Sequence, residues 1–341
     1  MRFAKHKFYF ADLSVQRKLT AIGFVFTDKH LFTTSPVQSV QFKGHSLFVK
    51  RDDLLHPQFS GNKARKFYHF LKQPPAGIHT LVGSGSAQAN SLYSLAALAK
   101  LNQWRCEFYV DHIPSWLKQN PCGNYQAALE LDARIIEVAS LRRQQQANLD
   151  QFMQTIVRPS LSAQQLFIPE GGRCHYAREG VVMLAEEIED WQHQQHIGPL
   201  RVMLPAGTGT TALFLSEYFS QMNPCIQVLS CACVGDEYYL RSQFSLLNSN
   251  PKTHPSILTR PKKYHFGKLY PEHYQIWLEL KQQTEIEFEL LYDPIGWQCL
   301  IRYLDEHNDD VPTLYIHQGG LLGNQSMLNR YRRKYPHLAP I

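Results

Sequence analysis

The stretch "HTLVGSGSAQANSLYSLAALAKL", His79–Leu101, sets the fold class. Its first half is a short apolar run that ends in a loop of Gly and Ser, as a buried strand does. Its second half repeats Leu92, Leu95, Ala96 and Ala99 at helical spacing. A strand, a small-residue loop and a helix therefore follow one another within one short segment. The same order recurs along the chain. "CEFYV" and "RIIEVA" read as strands with "NYQAALELDA" a helix between them, and "LFIPEGG" leads into a helix at about 176–191. "LRVMLPAGTGT" is a strand entering a Gly/Thr loop and then the helix "TALFLSEYF"; "CIQVLSCACV" and "TLYIH" complete the strands. Such alternation predicts an α/β fold with parallel sheets covered by helices.

At 341 residues the chain exceeds what one hydrophobic core usually serves, so two domains are expected. With 44% hydrophobic and 19% charged residues it has an ordinary globular composition. The net charge of +6 is dispersed, with no Lys/Arg block of nucleic-acid type, so anionic small molecules are the expected partners. No apolar run has membrane-spanning length, and the charged N-terminus "MRFAKHKFYFADLSVQRKLTAIGFVF" does not read as a secretory signal. The seven cysteines form no C-x-x-C pair and the sixteen histidines are scattered. Buried free thiols in a reducing cytoplasm are expected, and no metal site. "LNSNPKTHPSILTRPKKYHFGKLYP", 247–271, reads as a long surface excursion and a candidate wall of an active site.

Three segments carry chemistry. In "LPAGTGTTALFL", Gly207, Thr208, Gly209, Thr210 and Thr211 open a helix, whose unpaired N–H groups and positive dipole end suit a phosphate. The loop is neither a Walker loop nor G-x-G-x-x-G, and a plain Gly-rich turn with Thr caps fits as well. In "GSGSAQAN", 83–90, backbone N–H groups with Ser86, Gln88 or Asn90 suit a carboxylate; a tight turn with a Ser or Asn cap is the plainer alternative. In "KRDDLLHPQFSGNKARKF", Lys50–Phe67, a Gly-Asn turn fixes Lys63 where a helix begins. A lysine held there is suited to attack or carry an aldehyde, whereas a surface lysine is the bland reading. Together, a reactive lysine, a phosphate cup and a carboxylate loop are what a pyridoxal phosphate enzyme acting on amino acids requires.

From "SPVQ" (35–38) to "YIHQGG" (315–320) the chain resembles the 1-aminocyclopropane-1-carboxylate deaminase and D-cysteine desulfhydrase family. The Lys50–Phe67 block is similar to that family's K-R-[DE]-D-L…G-N-K-x-R-K segment, "GSAQANSLYSLAALA" to its substrate-carboxylate segment and "AGTGTT" to its phosphate loop. "IPEGG" and "DPIGWQCL" occupy the corresponding places. The resemblance implies a tryptophan synthase β-subunit-like fold (PLP fold type II), two open α/β domains with the cofactor in the cleft. It implies a large domain of 1–65 and 171–341 with a smaller inserted domain, 66–170. It also implies that Lys63 carries pyridoxal 5'-phosphate, with Asn62 beside it, Asn90 on the ring oxygen and 207–211 on the phosphate. Gln318 stands where relatives carry Thr or Leu near the ring nitrogen. Ser86, Ala87, Gln88 and Ala89 face the substrate, and the implied assembly is a homodimer.

Two side chains depart from the family pattern. Ala89 replaces the serine that precedes the ring-contacting asparagine, and Gly296 replaces the tyrosine of D-P-V-Y. Trp297, next to that gap, is expected either to stack on the substrate or to sit in the core. The resulting expectation is a deaminase or lyase that releases ammonia or sulfide and a 2-oxo acid from a small amino acid. A pyridoxal phosphate-binding homologue with little turnover is the alternative, and a nucleotide-binding protein using the Gly/Thr loop is a third.

Overall fold

The computed structural model describes residues 34–338 except 57, 60 and 308. The charged N-terminal stretch, and with it much of the expected 1–65 segment, lies outside the described residues. A six-stranded sheet is built from β1 (Val37–Phe42), β2 (His45–Lys50), β7 (Leu200–Ala206), β8 (Ile226–Ala232), β9 (Ser256–Ile257) and β10 (Thr313–Ile316). Its order is β1-β2-β10-β7-β8-β9. A second sheet has the order β5-β4-β3-β6, from β3 (Thr80–Ser84), β4 (Arg105–Val110), β5 (Arg134–Glu137) and β6 (Gln165–Phe167). All pairings are parallel except β1 with β2.

The alternation foretells neither that antiparallel hairpin nor β9, which adds an edge strand to the sheet from within the 247–271 stretch read as a surface excursion. Lys43 and Gly44 both have positive φ, 49° and 85°, the geometry of a two-residue turn matched to strand twist. The segment is mixed polar and apolar because β1 is an edge strand with exposed positions.

The helices of eight or more residues are α1 (Gly61–Lys72), α2 (Asn90–Leu101), α3 (Gly123–Glu130), α4 (Ala177–Gln194) and α5 (Thr210–Met222), followed by α6 (Glu237–Ser245), α7 (Pro271–Thr284), α8 (Asp293–His307) and α9 (Gly323–Lys334). Strand period decides which layer each residue joins. Leu200, Val202, Leu204 and Ala206 of β7 pack with Val181 and Leu184 of α4 and Leu213 of α5. Met203, between them in sequence, packs on the opposite face with Trp277 of α7 and Trp297 of α8. The smaller sheet is covered by α1, α2 and α3 through residues such as Phe67, Leu95 and Ala128. Both sheets belong to one compact unit. No described helix is long and apolar enough to cross a membrane.

Candidate active site

Strand C-terminal ends and helix N-termini meet around a cavity of about 540 Å³, within the range of about 300–1,000 Å³ usual for small-molecule sites. Its wall includes the first turns of α1, α2, α5 and α9, through Lys63, Asn90, Thr210 and Gly323. Helix N-termini carry unpaired N–H groups and a partial positive charge, so this convergence favours an anion-rich ligand. The ends of β7 (Leu204–Ala206) and the residues after β10 (Gln318, Gly319) close the floor, as in open parallel sheets generally.

Lys63 is buried, with 8% exposure. Burial pushes its amine down to about 8, against the pull of the Glu170 carboxylate, which raises it. Its ammonium nitrogen lies 3.5 Å from Asn62 Oδ1. Asn62 is itself fixed to the end of β10: its N–H donates to Gln318 O at 3.1 Å and its side-chain amide to Gln318 Oε1 at 3.2 Å. Lys50, Arg51 and Arg65 of the Lys50–Phe67 block are paired with acids. Arg65 donates to both Asp52 oxygens, at 3.0 and 3.1 Å, and to both Glu187 oxygens, at 2.6 and 2.8 Å. Lys50 donates to Glu187 at 2.6 Å. Lys50 and Arg65 thus fasten α1 to the β2 end and to α4, while Lys63 and Lys66 face the cavity.

The Gly/Thr segment sits as its sequence suggests. Gly209 adopts left-handed φ 69° and precedes α5 with no side-chain cap. Gly207, Thr208, Gly209, Thr210 and Thr211 all line the cavity. Thr208 and Thr210 hydroxyls lie 3.1 Å apart, and Thr211 Oγ1 is buried with no partner. Lys66, buried beside Lys63, donates to Gly171 O at 2.9 Å, and a Cβ on Gly171 would lie 2.9 Å from Thr208 Oγ1. A second amine therefore stands next to the cup. An orphan hydroxyl, an uncapped helix start and a buried amine fit a phosphate. With Lys63 on the same cavity, the set fits pyridoxal phosphate.

Asn90 opens α2 and accepts from Asn124 Nδ2 through Oδ1 at 2.8 Å, which leaves its own N–H groups as donors. Ser86, Gln88 and Ala89 line the cavity with it, and Gln88 Oε1 is buried without a partner. Gln318 donates from Nε2 to Pro205 O at 2.7 Å. Ala87 is different: its side chain packs with Leu92 and Leu95 in the core, outside the cavity wall.

Trp297 is the clearer correction. It is fully buried, stacks on Tyr315 at 4.4 Å between ring centroids and meets Phe42 and Phe288 edge-on, outside the cavity wall. Gly296 leaves no gap for it to fill. A Cβ there would lie 2.6 Å from the Tyr315 hydroxyl, which donates to Asp293 at 2.7 Å.

Glu289, Tyr292 and Arg330 also line the wall and stand outside the motifs singled out in the sequence, whereas Glu170 and Asp293 fall within "IPEGG" and "DPIGWQCL" without an assigned role. Tyr292 sits one turn before Gly296, its ring 5.2 Å from that of Phe266 in the 247–271 excursion. Burial, then the neighbouring Asp293 carboxyl, pushes Glu289 up to about 8, so it is a neutral acid at pH 7. It accepts from the N–H groups of Leu291 and Tyr292 at 2.8 and 2.6 Å. "EFELLYDP" gives no local sign that two carboxyls of one turn are both buried.

The chain is 24% identical to a D-cysteine desulfhydrase of Serratia proteamaculans over 296 residues, 82% of this chain and 88% of that protein. It is 24% identical to a D-cysteine desulfhydrase of Salmonella paratyphi A over 190 residues, 55% and 57% of the two. Among solved structures it is similar to a homologue of ACC deaminase, with TM-score 0.68 and 20% identity over 90% of this chain and 94% of the other. A hydrogen sulfide-producing enzyme from Fusobacterium nucleatum gives TM-score 0.60 and 10% identity, over 84% and 96%. The family model for pyridoxal-phosphate dependent enzymes matches residues 31–262, and the chain belongs to that family.

Proposed function

We propose that the chain is a deaminase or carbon–sulfur lyase that releases ammonia, or sulfide, and a 2-oxo acid from a small amino acid. One observation carries the reading: Lys63, a buried amine held near pKa 8, shares its cavity with an open phosphate cup and an amide-lined loop. Similarity to two D-cysteine desulfhydrases and to a sulfide-producing enzyme supports this substrate class. Pyridoxal phosphate, when bound, supplies an aldehyde for amines and an electron sink for the substrate α-carbon.

The residues of this chain do the rest. In this reading the start of α5, with Thr210, Thr211 and the nearby Lys66, holds the phosphate. Asn90 donates to the ring oxygen, and Gln318 meets the ring nitrogen. Ser86, Gln88 and the N–H groups leading into α2 hold the substrate carboxylate, with Ala89 leaving open space where a hydroxyl is absent. A pKa near 8 makes roughly one Lys63 amine in ten neutral at pH 7, against roughly one in a few thousand for a free lysine. Lys63 can therefore take a proton from the substrate α-carbon and return it. Phe266 and Tyr292, their rings 5.2 Å apart, form part of the cavity wall.

The division into 1–65 with 171–341 and an inserted 66–170 is part of the proposal, supported by a separate sheet within 80–167. So are a homodimer, supported by the family resemblance, and a reducing cytoplasmic setting, supported by seven free thiols. Screening 2-oxo acid release by the cofactor-loaded protein over D- and L-amino acids tests the activity. Steady release from at least one of them is expected; spectral change without product from every one would favour a binding protein with little turnover.

A further inference from the structure

Arg330 is a cation of the cavity wall that the reading above does not use. It lies on α9, which runs along the wall through Gly323, Ser326, Met327 and Arg330, residues three or four apart and so on one face. At the deep end a Cβ on Gly323 would lie 3.3 Å from Asn90 Oδ1. At the outer end the Arg333 guanidinium lies 5.2 Å from the ring of Trp116, itself a wall residue. Seven residues of rise put the Arg330 backbone about 10 Å outward from Gly323, and long helical side chains lean back toward the helix N-terminus. Its guanidinium therefore sits between the mouth and the Asn90 end.

The charge of Arg330 has no protein partner among the described residues. It donates from Nη2 to Gly267 O at 2.5 Å and from Nη1 toward Met327 Sδ at 3.2 Å. A guanidinium has five N–H donors, so three remain. Its pKa is held below the usual arginine range by burial, with Tyr331 pulling up and Arg333 pushing down, and no carboxylate contributes. The acids of the wall are engaged elsewhere: Glu170 feels Asp150, Arg173 and Lys63, Glu289 accepts from the N–H groups of Leu291 and Tyr292, and Asp293 accepts from the Tyr315 hydroxyl and the Glu289 N–H. Lys63 and the Lys66 cup already account for the cofactor aldehyde and phosphate, and the 86–90 loop for the substrate α-carboxylate. One positive group is left over, and it lines the same cavity as Lys63 and the 86–90 loop.

We propose that Arg330 binds an anionic group at the end of the substrate's side chain, so that the site selects amino acids carrying a second acidic group. This rests on the amino-acid-processing site described above and adds its substrate class. The Gly267 contact orients the guanidinium and fastens the 247–271 excursion to the wall.

Isosteric pairs isolate the charge. Cofactor-loaded protein is titrated with D- and L-aspartate against asparagine, and glutamate against glutamine, reading Kd from the absorbance change and KM and kcat from 2-oxo acid release. Wild type is expected to bind one acid about 10- to 100-fold tighter than its amide, the range for hydrogen bonds to a charged group. Arg330→Gln keeps an N–H for the Gly267 carbonyl, and in it the acid-to-amide ratio is expected to collapse to about one. Equal binding of acid and amide by wild type overturns the proposal, and so does a ratio that persists in Arg330→Gln. An acid preference without any 2-oxo acid product would instead overturn the proposed activity and leave Arg330's role standing.

Discussion

A Cβ placed on Gly61 would lie 2.2 Å from the carbonyl oxygen of Asp52. The first residue of α1 therefore touches the turn that follows β2 backbone to backbone, and that contact, with the Arg65–Asp52 ion pair, fixes where Lys63 sits in the helix. Gly61→Ala is expected to cost about 1–3 kcal/mol by overpacking and to weaken cofactor retention. Gly198, which has open space, is the control: Gly198→Ala is expected to leave both unchanged. Urea midpoints and cofactor dialysis measure the two effects, and wild-type retention in Gly61→Ala would count against a precisely set lysine.

Thr211 separates the folded scaffold from its ligand. Its hydroxyl is buried and unpartnered without a phosphate, and such a group costs about 1–3 kcal/mol. Thr211→Val is expected to raise the stability of the cofactor-free protein and to lower its affinity for pyridoxal phosphate by about tenfold or more. Lower stability together with unchanged affinity would remove the hydroxyl from the cup.

The pieces legible in the sequence were those read from local chemistry. Lys63 after Gly-Asn, the 207–211 loop and Asn90 each stand at a helix start, and a helix start is visible in sequence as the point where small or polar residues meet a periodic apolar run. Of the two roles open to Trp297, the core one holds, and stacking on the substrate does not. Its spacing to Leu300, Ile301 and Leu304 marks it as part of the buried stripe of α8. Glu289, Tyr292 and Arg330 were not legible, because what makes them notable is who faces them across the fold. The β1–β2 hairpin is hard to read because its edge strand, β1, carries polar residues on both faces.

Ala89 ends the loop into α2 with extended φ −68° and ψ 140° and no side-chain cap. A serine there would supply the cap and restore a hydroxyl to the cavity wall. Ala89→Ser is expected to raise stability by about 0.5–2 kcal/mol and to increase 2-oxo acid release. Increased stability with unchanged turnover would mean that the helix start absorbs the hydroxyl.

Glu289 gives a pH signature. Its folded-state pKa is raised from 4.5 to about 8, so between those values the folded protein holds a proton that the unfolded chain has lost. Its contribution is fully present below about 4.5 and is lost as pH rises through 8, with a slope of up to about 1.4 kcal/mol per pH unit. Glu289→Gln removes this dependence. The stability of wild type relative to Glu289→Gln is expected to fall between pH 5 and pH 8 in urea titrations, and parallel curves would show an ionised or exposed carboxylate.

The most direct measurement treats pyridoxal phosphate-loaded protein with borohydride and maps the adduct by peptide mass. The pyridoxyl group is expected on the peptide containing Lys63, with visible absorbance lost in Lys63→Ala. A pyridoxyl group on Lys66 or any other lysine, or undiminished absorbance in Lys63→Ala, would contradict the account.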